Sequence, residues 1–311
     1  MATPRLSVLI VTWNCRALIG PCLEHLFASR INGTFEVIVV DNASHDDTPG
    51  LIRAHYPQVT VIDSGGNLGF SRGNNLAAQH ARGDYLLFLN PDAYLTDRDA
   101  LAKLCAALDE DRDGRVGAVA PALSNLDGSH QVGDAGYAPT IGNVTRHQWL
   151  LSRLVPGLHG FYVNNPVLLR RSRVSVEWLA ATCLLIRRTL FEQVGGFDPS
   201  FFMYGEDVDL GVRMHATGKQ LLLLPEIRVL HLQGATQRSD SSAIHVSFGW
   251  IDAIFALHRG NDRKQRLRRR VLATSMAGGF LVRAAAYRLK GARNKADAMR
   301  RYAQHSWTAA R

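Results

Sequence analysis

LSVLIVTWNCRALIGPCLEHLFASRINGTFEVIVVDNAS, residues 6–44, decides the fold. Its ends, LSVLIVTW (6–13) and FEVIVVD (35–41), are short, rich in Val, Ile and Leu, and bounded by polar residues, as buried strands are. Between them Leu18, Cys22 and Leu26 recur at a spacing of four, which predicts a helix over 16–29. The alternation continues outward. VTVID (59–63), DYLLFLN (84–90) and VGAVAP (116–121) read as strands, and 46–55, 72–82 and 98–111 carry helical spacing. Strands alternating with helices predict an α/β fold with a mostly parallel sheet flanked by helices. Such sheets bind ligands beyond the carboxyl ends of their strands, where Thr12, Asn14, Asp41, Asn42, Asn90 and Asp92 stand.

Further along, residues 122–175 are rich in Gly, Asn and Ser and read as long loops of the kind that close over a site. VEWLAATCLLIRR (176–188) predicts a buried strand, followed by a helix at 188–194 and the loop GGFDPSFFMYGED. An acidic helix over 206–217 ends at Gly218, and QLLLLP and IRVLHL predict two short strands. There is no GxGxxG and no GxxxxGK[ST], so no dinucleotide or Walker-type signature.

The 311 residues, 46% of them apolar, suffice for a large globular core. Cys15, Cys22, Cys105 and Cys183 have no CxxC spacing, which argues against zinc or a disulfide framework and for a reducing cytoplasm. MATPRLSVLIVTW reads as a first strand rather than a signal peptide, and no stretch reaches the roughly 20 apolar residues that span a bilayer. The net charge of +9 is unevenly placed: residues 263–311 hold 14 Lys or Arg and one acid, leaving 22 basic and 26 acidic residues in 1–262. A mildly acidic body with a basic tail does not suit nucleic acid, whose binders spread positive charge over the folded surface.

Five segments carry chemistry, each with a plainer alternative. Asp41 closes a strand in VVDNAS and could accept hydrogen bonds from a ribose hydroxyl or a base N–H, or simply form a turn with Asn42. GGNLGFSRGNN (65–75) places Asn67, Gly69, Arg72 and Asn74 where a strand gives way to a helix. Its glycines and helix-start amides suit a diphosphate; the alternative is a Gly-rich turn beside a solvated Arg. LFLNPDAYL (87–95) delivers Asp92 to the open mouth of the sheet, where an acid can hold Mg²⁺ or Mn²⁺ against phosphates or cap a helix. His231 ends IRVLHL and is either a ligand beside Asp92 or a core histidine. In GEDVDLGVR (205–213), Glu206, Asp207 and Asp209 could offset a helix dipole, or one could be a catalytic base.

Taken in order, SVLIVTWN, VIVVDNASHDDT, GGNLGFSRGNN, YLLFLNPDA and FFMYGEDVDLGVR resemble the motifs of family 2 glycosyltransferases of GT-A fold, closest to the bacterial rhamnosyltransferase-like branch. The likeness spans about residues 5–235 and implies a Rossmann-like catalytic domain over 1–245, with a nucleotide-binding half (1–121) and an acceptor half (122–245). A basic helical extension (246–311) follows. It implies that Thr12, Asn14 and Asp41 hold the nucleoside, that Asn67, Gly69 and Arg72 follow the nucleotide and diphosphate, and that Asn90 lies along the donor. Asp92 and His231 would hold a divalent metal, Mg²⁺ or Mn²⁺, and Asp207 would be the base, its neighbouring acids raising its pKa. The family's metal motif is often Asp-x-Asp; here Asn90 takes the first position, leaving one carboxylate. LAAT (179–182) has Ala-Thr where relatives often show Gly-Ala.

The expected activity is inverting transfer of a sugar from a nucleotide diphosphate to a glycan or lipid-linked acceptor in cell-surface polysaccharide biosynthesis. L-Rhamnose from dTDP-rhamnose is the expected donor and a UDP-hexose the alternative. A nucleotidyltransferase would show a Gly-rich basic loop after the first strand, where TWNCRALIG stands, and a non-catalytic relative would be expected to lack Asp41, Asp92 or Asp207. The tail, RKQRLRRRVLATSMAGGFLVRAAAYRLK (263–290), predicts either reversible attachment to an anionic membrane or a helical pair packing on the catalytic domain or a second copy. Its apolar residues are Leu267, Val271, Met276, Phe280 and Tyr287. Peripheral attachment would put the protein at the inner face of the plasma membrane.

Overall fold

The computed structural model describes residues 3–155, 157–232, 248–258 and 262–310. The strands are β1 (Leu6–Thr12), β2 (Phe35–Asp41), β3 (Thr60–Asp63), β4 (Tyr85–Leu89), β5 (Ala93–Tyr94), β6 (Val116–Ser124), β7 (Ala135–Gly136), β8 (Val174–Val176), β9 (Trp178–Leu179), β10 (Cys183–Arg187) and β11 (Gln220–His231). The helices are α1 (Arg16–Phe27), α2 (Thr48–His55), α3 (Gly69–Gln79), α4 (Ala100–Asp109), α5 (Ile141–Gln148), α6 (Leu151–Leu154), α7 (Arg188–Gln193), α8 (Glu206–Ala216), α9 (Gly249–Ala256), α10 (Arg263–Leu289) and α11 (Arg293–Ala309). The chain forms two compact units, 1–135 with 168–238, and 136–167 with 239–311. The expected boundary at 245/246 lies outside the described residues, and the compact units assign 136–167 to the tail instead of the acceptor half.

The first unit is built on a sheet in the order β3-β2-β1-β4-β10-β6-β11-β5, with β8 also paired to β11. β3, β2, β1 and β4 run parallel, and the first six residues of β1 pair with Phe35–Val40 before Thr12 meets Asp41. Every second residue of β1 (Leu6, Val8, Ile10) packs with Ile19, Leu23 and Leu26 of α1 and with Leu101, Leu104 and Leu108 of α4. The other face is covered too. Gly73 of α3 lies against Val11, and Phe88 of β4 meets Phe197 edge-on at 4.9 Å and Phe191 at a tilt at 5.0 Å. Apolar residues on both faces are why these strands read as unbroken hydrophobic runs.

Three segments differ from the sequence reading. The strand expected over 176–188 is divided: Ala180–Thr182 leave the ladder because Ala180 N–H donates to the Asp134 carbonyl and the Thr182 carbonyl accepts from Asn90 N–H. β10 then runs antiparallel to β4, so Cys183 pairs with Leu89 and 180–182 lie at the end of β4. QLLLLP and IRVLHL form one strand, β11, which passes Pro225 through a bulge between Leu224 and Arg228 where the missing N–H costs no ladder bond. Residues 122–175 are not all loop. α5 starts at Thr140, whose hydroxyl accepts the Asn143 N–H.

In the second unit α10 and α11 pack as a helical pair with α9. Phe280 stacks on Tyr302 at 5.3 Å and Trp250 meets both rings at 6.0 Å. Met276 and Phe280 of the expected apolar stripe are therefore buried, whereas Leu267 and Val271 are exposed. Among the described residues, no helix is long and apolar enough to cross a membrane.

Candidate active site

The parallel register of β1 and β2 sets Thr12 beside Asp41 at the carboxyl edge of the sheet. Thr12 Oγ1 donates to Asp41 Oδ1 at 2.9 Å, Ser44 Oγ to the same oxygen at 2.6 Å, and Ser44 N–H to Oδ2 at 2.8 Å. Thr12 and Asp41 are both buried, and the Thr12 hydroxyl orients the Asp41 carboxylate. Asn14, in a left-handed conformation at φ 53°, accepts His45 N–H on its side chain and gives its own N–H to Ser44 Oγ. These bonds fix the loop after β2 around one aimed carboxylate.

The glycine-rich segment has a different local cause from the one its composition suggests. Gly69 sits at φ 77°, and a Cβ there would lie 2.5 Å from the Phe202 carbonyl oxygen. That carbonyl accepts the Phe70 N–H at 2.7 Å, so the loop before α8 takes a helix-start amide that a diphosphate could otherwise use. Asn67 Oδ1 accepts the Gly69 N–H, and Arg72 is exposed with its Nε donating to the Pro199 carbonyl. Asn67, Arg72, Pro199, Ser200 and Phe202 are among the residues lining a cavity of about 350 Å³. Asn75 bonds both backbone groups of Phe197, clasping the same loop to α3.

Asn90 and Asp92 follow β4. Asp92 is 4% exposed, and the antiparallel pairing of β5 with the end of β11 sets His231 opposite Ala93. His231 Nε2 lies 3.4 Å from Asp92 Oδ1. Gln131 decides the histidine's tautomer. Its Nε2 donates to the His231 carbonyl, so its Oε1 faces His231 Nδ1 at 2.5 Å and must receive a proton from it. Nε2 then faces the carboxylate, as an ion-pair donor when the ring is an imidazolium and as an acceptor when it is neutral. In the neutral ring a shared cation would satisfy both acceptors, and neighbouring ligands of an octahedral hard cation lie about 3 Å apart. The pair fits such an ion. Among the described residues no third His, Cys, Asp or Glu joins them, so the remaining positions would fall to water or phosphate oxygens.

α8 begins after two left-handed residues, Tyr204 (φ 70°) and Gly205 (φ 91°). It is seated by Gly211, where a Cβ would come within 2.5 Å of the Trp178 backbone. Asp207, partly open to solvent, accepts backbone hydrogen bonds from Val208 and Ala181. Burial raises its pKa above the usual carboxylate range despite those bonds. Glu206 is 6% exposed, its Oε2 is unpartnered, and burial followed by the Asp207 charge pushes its carboxyl up further still. The two adjacent carboxyls titrate as a pair, both held above the usual carboxylate range by burial. Asp209 pairs with Arg213 at 2.6 Å.

The peptide 181–182 unites the site. Ala181 hydrogen-bonds Asp207 and Thr182 bonds Asn90, so the acids of α8 stand beside the chain that delivers Asp92. The model for glycosyl transferase family 2 matches residues 7–208. The chain belongs to this family. As a glycosyltransferase it is 33% identical over 254 residues to the N-acetylglucosaminyl-diphospho-decaprenol L-rhamnosyltransferase of Mycobacterium tuberculosis, covering 74% of this chain and 76% of the relative. It is 27% identical to the rhamnosyltransferase WbbL of Escherichia coli K12 over 75% of this chain and 85% of that one. The fold is that of GT-A enzymes. The mannosyltransferase PcManGT of Pyrobaculum calidifontis, solved with GDP-mannose and Mn²⁺, superposes with a TM-score of 0.58 at 19% identity, covering 99% of this chain and 86% of that one.

Sequence reasoning on this glycosyltransferase missed Gln131 and Thr182 as site-builders. Gln131 is separated from His231 by 100 positions and stands in a polar loop, with no local signal. Glu206 was legible as one of three acids, but its burial was not.

Proposed function

We propose that this glycosyltransferase moves a sugar, with inversion, from a nucleotide diphosphate to a hydroxyl of a glycan or lipid-linked acceptor in cell-surface polysaccharide biosynthesis. L-Rhamnose from dTDP-rhamnose is the donor we assign, on the strength of the rhamnosyltransferase relatives. The observation that carries the reading is the bridge from Asp207 through Ala181 and Thr182 to Asn90, which supports a base and a donor site on one frame. Asp207 accepts the acceptor's proton as its oxygen attacks, and the amides of Val208 and Ala181 hold the carboxylate in one orientation. Asp41, aimed by Thr12 and Ser44, accepts hydrogen bonds from the nucleoside, and Asn14 holds that loop in place. Asn67 and Arg72 border the nucleotide, with Asn90 beside the donor.

Asp92 and His231 would hold Mg²⁺ or Mn²⁺, which when bound neutralises charge on the departing diphosphate. The four cysteines are free and buried, in keeping with work in a reducing cytoplasm. The test is a panel of dTDP-rhamnose, UDP-hexoses and GDP-mannose with purified protein, divalent metal and a polyprenyl-diphosphate-linked N-acetylglucosamine acceptor. Transfer from dTDP-rhamnose alone supports the assignment, and transfer only from a UDP-hexose replaces it.

A further inference from the structure

The second unit carries a surface that glycosyl transfer does not use. Along α10, Leu267, Val271, Gly278, Val282 and Leu289 fall at i, i+4, i+11, i+15 and i+22, one face of a helix about 40 Å long. All but Gly278 are exposed. Trp149 joins this face: a Cβ on Gly278 would lie 3.1 Å from the Trp149 indole, so the ring rests over the middle of the stripe. Trp149 nevertheless remains 46% exposed. The chain after Trp149 turns through Leu150 at φ 61° and presents Leu150, Leu151, Leu154 and Val155 to solvent, with Leu154 73% exposed.

Charge identifies the occupant. At about 100° per residue, Arg263 and Arg270 flank the start of the stripe on one side and Lys264 and Arg268 on the other. Asp297 is the single acid between 263 and 311. A second copy docking face to face would bring two strongly basic tails together, which like-charge repulsion opposes. An apolar face with Trp and Leu at its centre and cations on its flanks matches the boundary between acyl chains and anionic headgroups.

We infer that the α10 stripe and the Trp149–Val155 turn form a docking face for an anionic lipid bilayer, with the apolar side chains entering the interface and the α10 cations meeting the headgroups. This differs from the sequence expectation in its residues. Met276 and Phe280 belong to the helical pair, and Trp149, Leu154 and Val282 take their place. The inference is independent of the transfer chemistry.

The experiment is co-sedimentation of the full chain with phosphatidylglycerol/phosphatidylcholine vesicles and with phosphatidylcholine alone, at 50 and 500 mM NaCl. Binding is expected to the anionic vesicles and to fall with salt. Arg268→Glu with Arg270→Glu should weaken it by at least tenfold, since each cation near such a surface contributes about fivefold. Leu154→Glu with Val282→Glu changes exposed positions only and should reduce it at least tenfold, with thermal unfolding unchanged. Three results would overturn the inference: vesicle binding equal in all variants, vesicle binding absent at low salt, or dimerisation by sedimentation velocity that the Leu154/Val282 variant abolishes without any vesicle binding. Nucleotide-sugar turnover, measured without vesicles, reports separately on the transfer reading.

Discussion

Gly211→Ala should damage the site from its far side. Gly211 is inside α8, where alanine would ordinarily gain about 1 kcal/mol of helix propensity. Here the added Cβ would meet Trp178 Cβ at 2.4 Å and Trp178 Cα at 2.5 Å, with the Glu177 carbonyl at 2.9 Å. Trp178 is fully buried, and two of the three obstacles are backbone atoms, so no side-chain rotation clears the space. Overpacking of this kind costs about 1–3 kcal/mol, and contact with backbone belongs at the upper end. The net loss should be about 2 kcal/mol, a fall in Tm of roughly 4–8 °C. The larger effect is on turnover. To restore ordinary contact α8 must withdraw by about 1 Å, carrying Asp207 away from Ala181, and misplacement on that scale lowers rates by about 10²-fold. Thermal unfolding and single-turnover transfer measure the two effects. Gly142→Ala, in the first turn of α5 with an ordinary 3.6 Å contact to Arg146, is the control and should leave both unchanged or slightly improved. Wild-type stability and rate in Gly211→Ala would refute the claim that close approach of α8 to β9 seats the base.

The pH dependence follows from the raised carboxyls of Glu206 and Asp207. A carboxyl whose folded pKa lies above its unfolded value of about 4 stabilises the fold fully below that pH and loses the contribution as pH rises through the folded value. Glu206→Gln should therefore raise Tm relative to wild type at pH 9 and not at pH 4; an equal difference at both would show that Glu206 ionises normally. The acid limb of the turnover profile should lie above the ordinary carboxylate range, because Asp207 must lose its proton to act. Asp92→Ala should weaken nucleotide binding in Mg²⁺ or Mn²⁺ by at least tenfold and have little effect in EDTA; activity that survives EDTA would remove the metal role from Asp92 and His231 together.

Much of this was legible because parallel strands buried on both faces leave unbroken apolar runs, and β1, β2 and β4 appear in the sequence as such runs. Asp41 and Asp92 could be picked out because they end those runs. Legibility failed where the cause was tertiary. Gly69 reads as room for a ligand, but the Phe202 carbonyl occupies that room. The break at Ala180–Thr182 answers to Asp134 and Asn90, residues 46 and 92 positions earlier, and LAAT itself holds no breaker. α5 was lost among loops because IGNVTRHQ has little apolar periodicity, although Thr140 after Pro139 was a readable cap.

The most direct test of the account is Asp207→Asn, which keeps the side chain's shape and removes its ability to take a proton. Donor affinity, measured by calorimetry with dTDP-rhamnose and metal, should be unchanged, while turnover falls by about 10²–10⁴-fold. Turnover near the wild-type rate in that variant would contradict the assignment and move the base to Glu206.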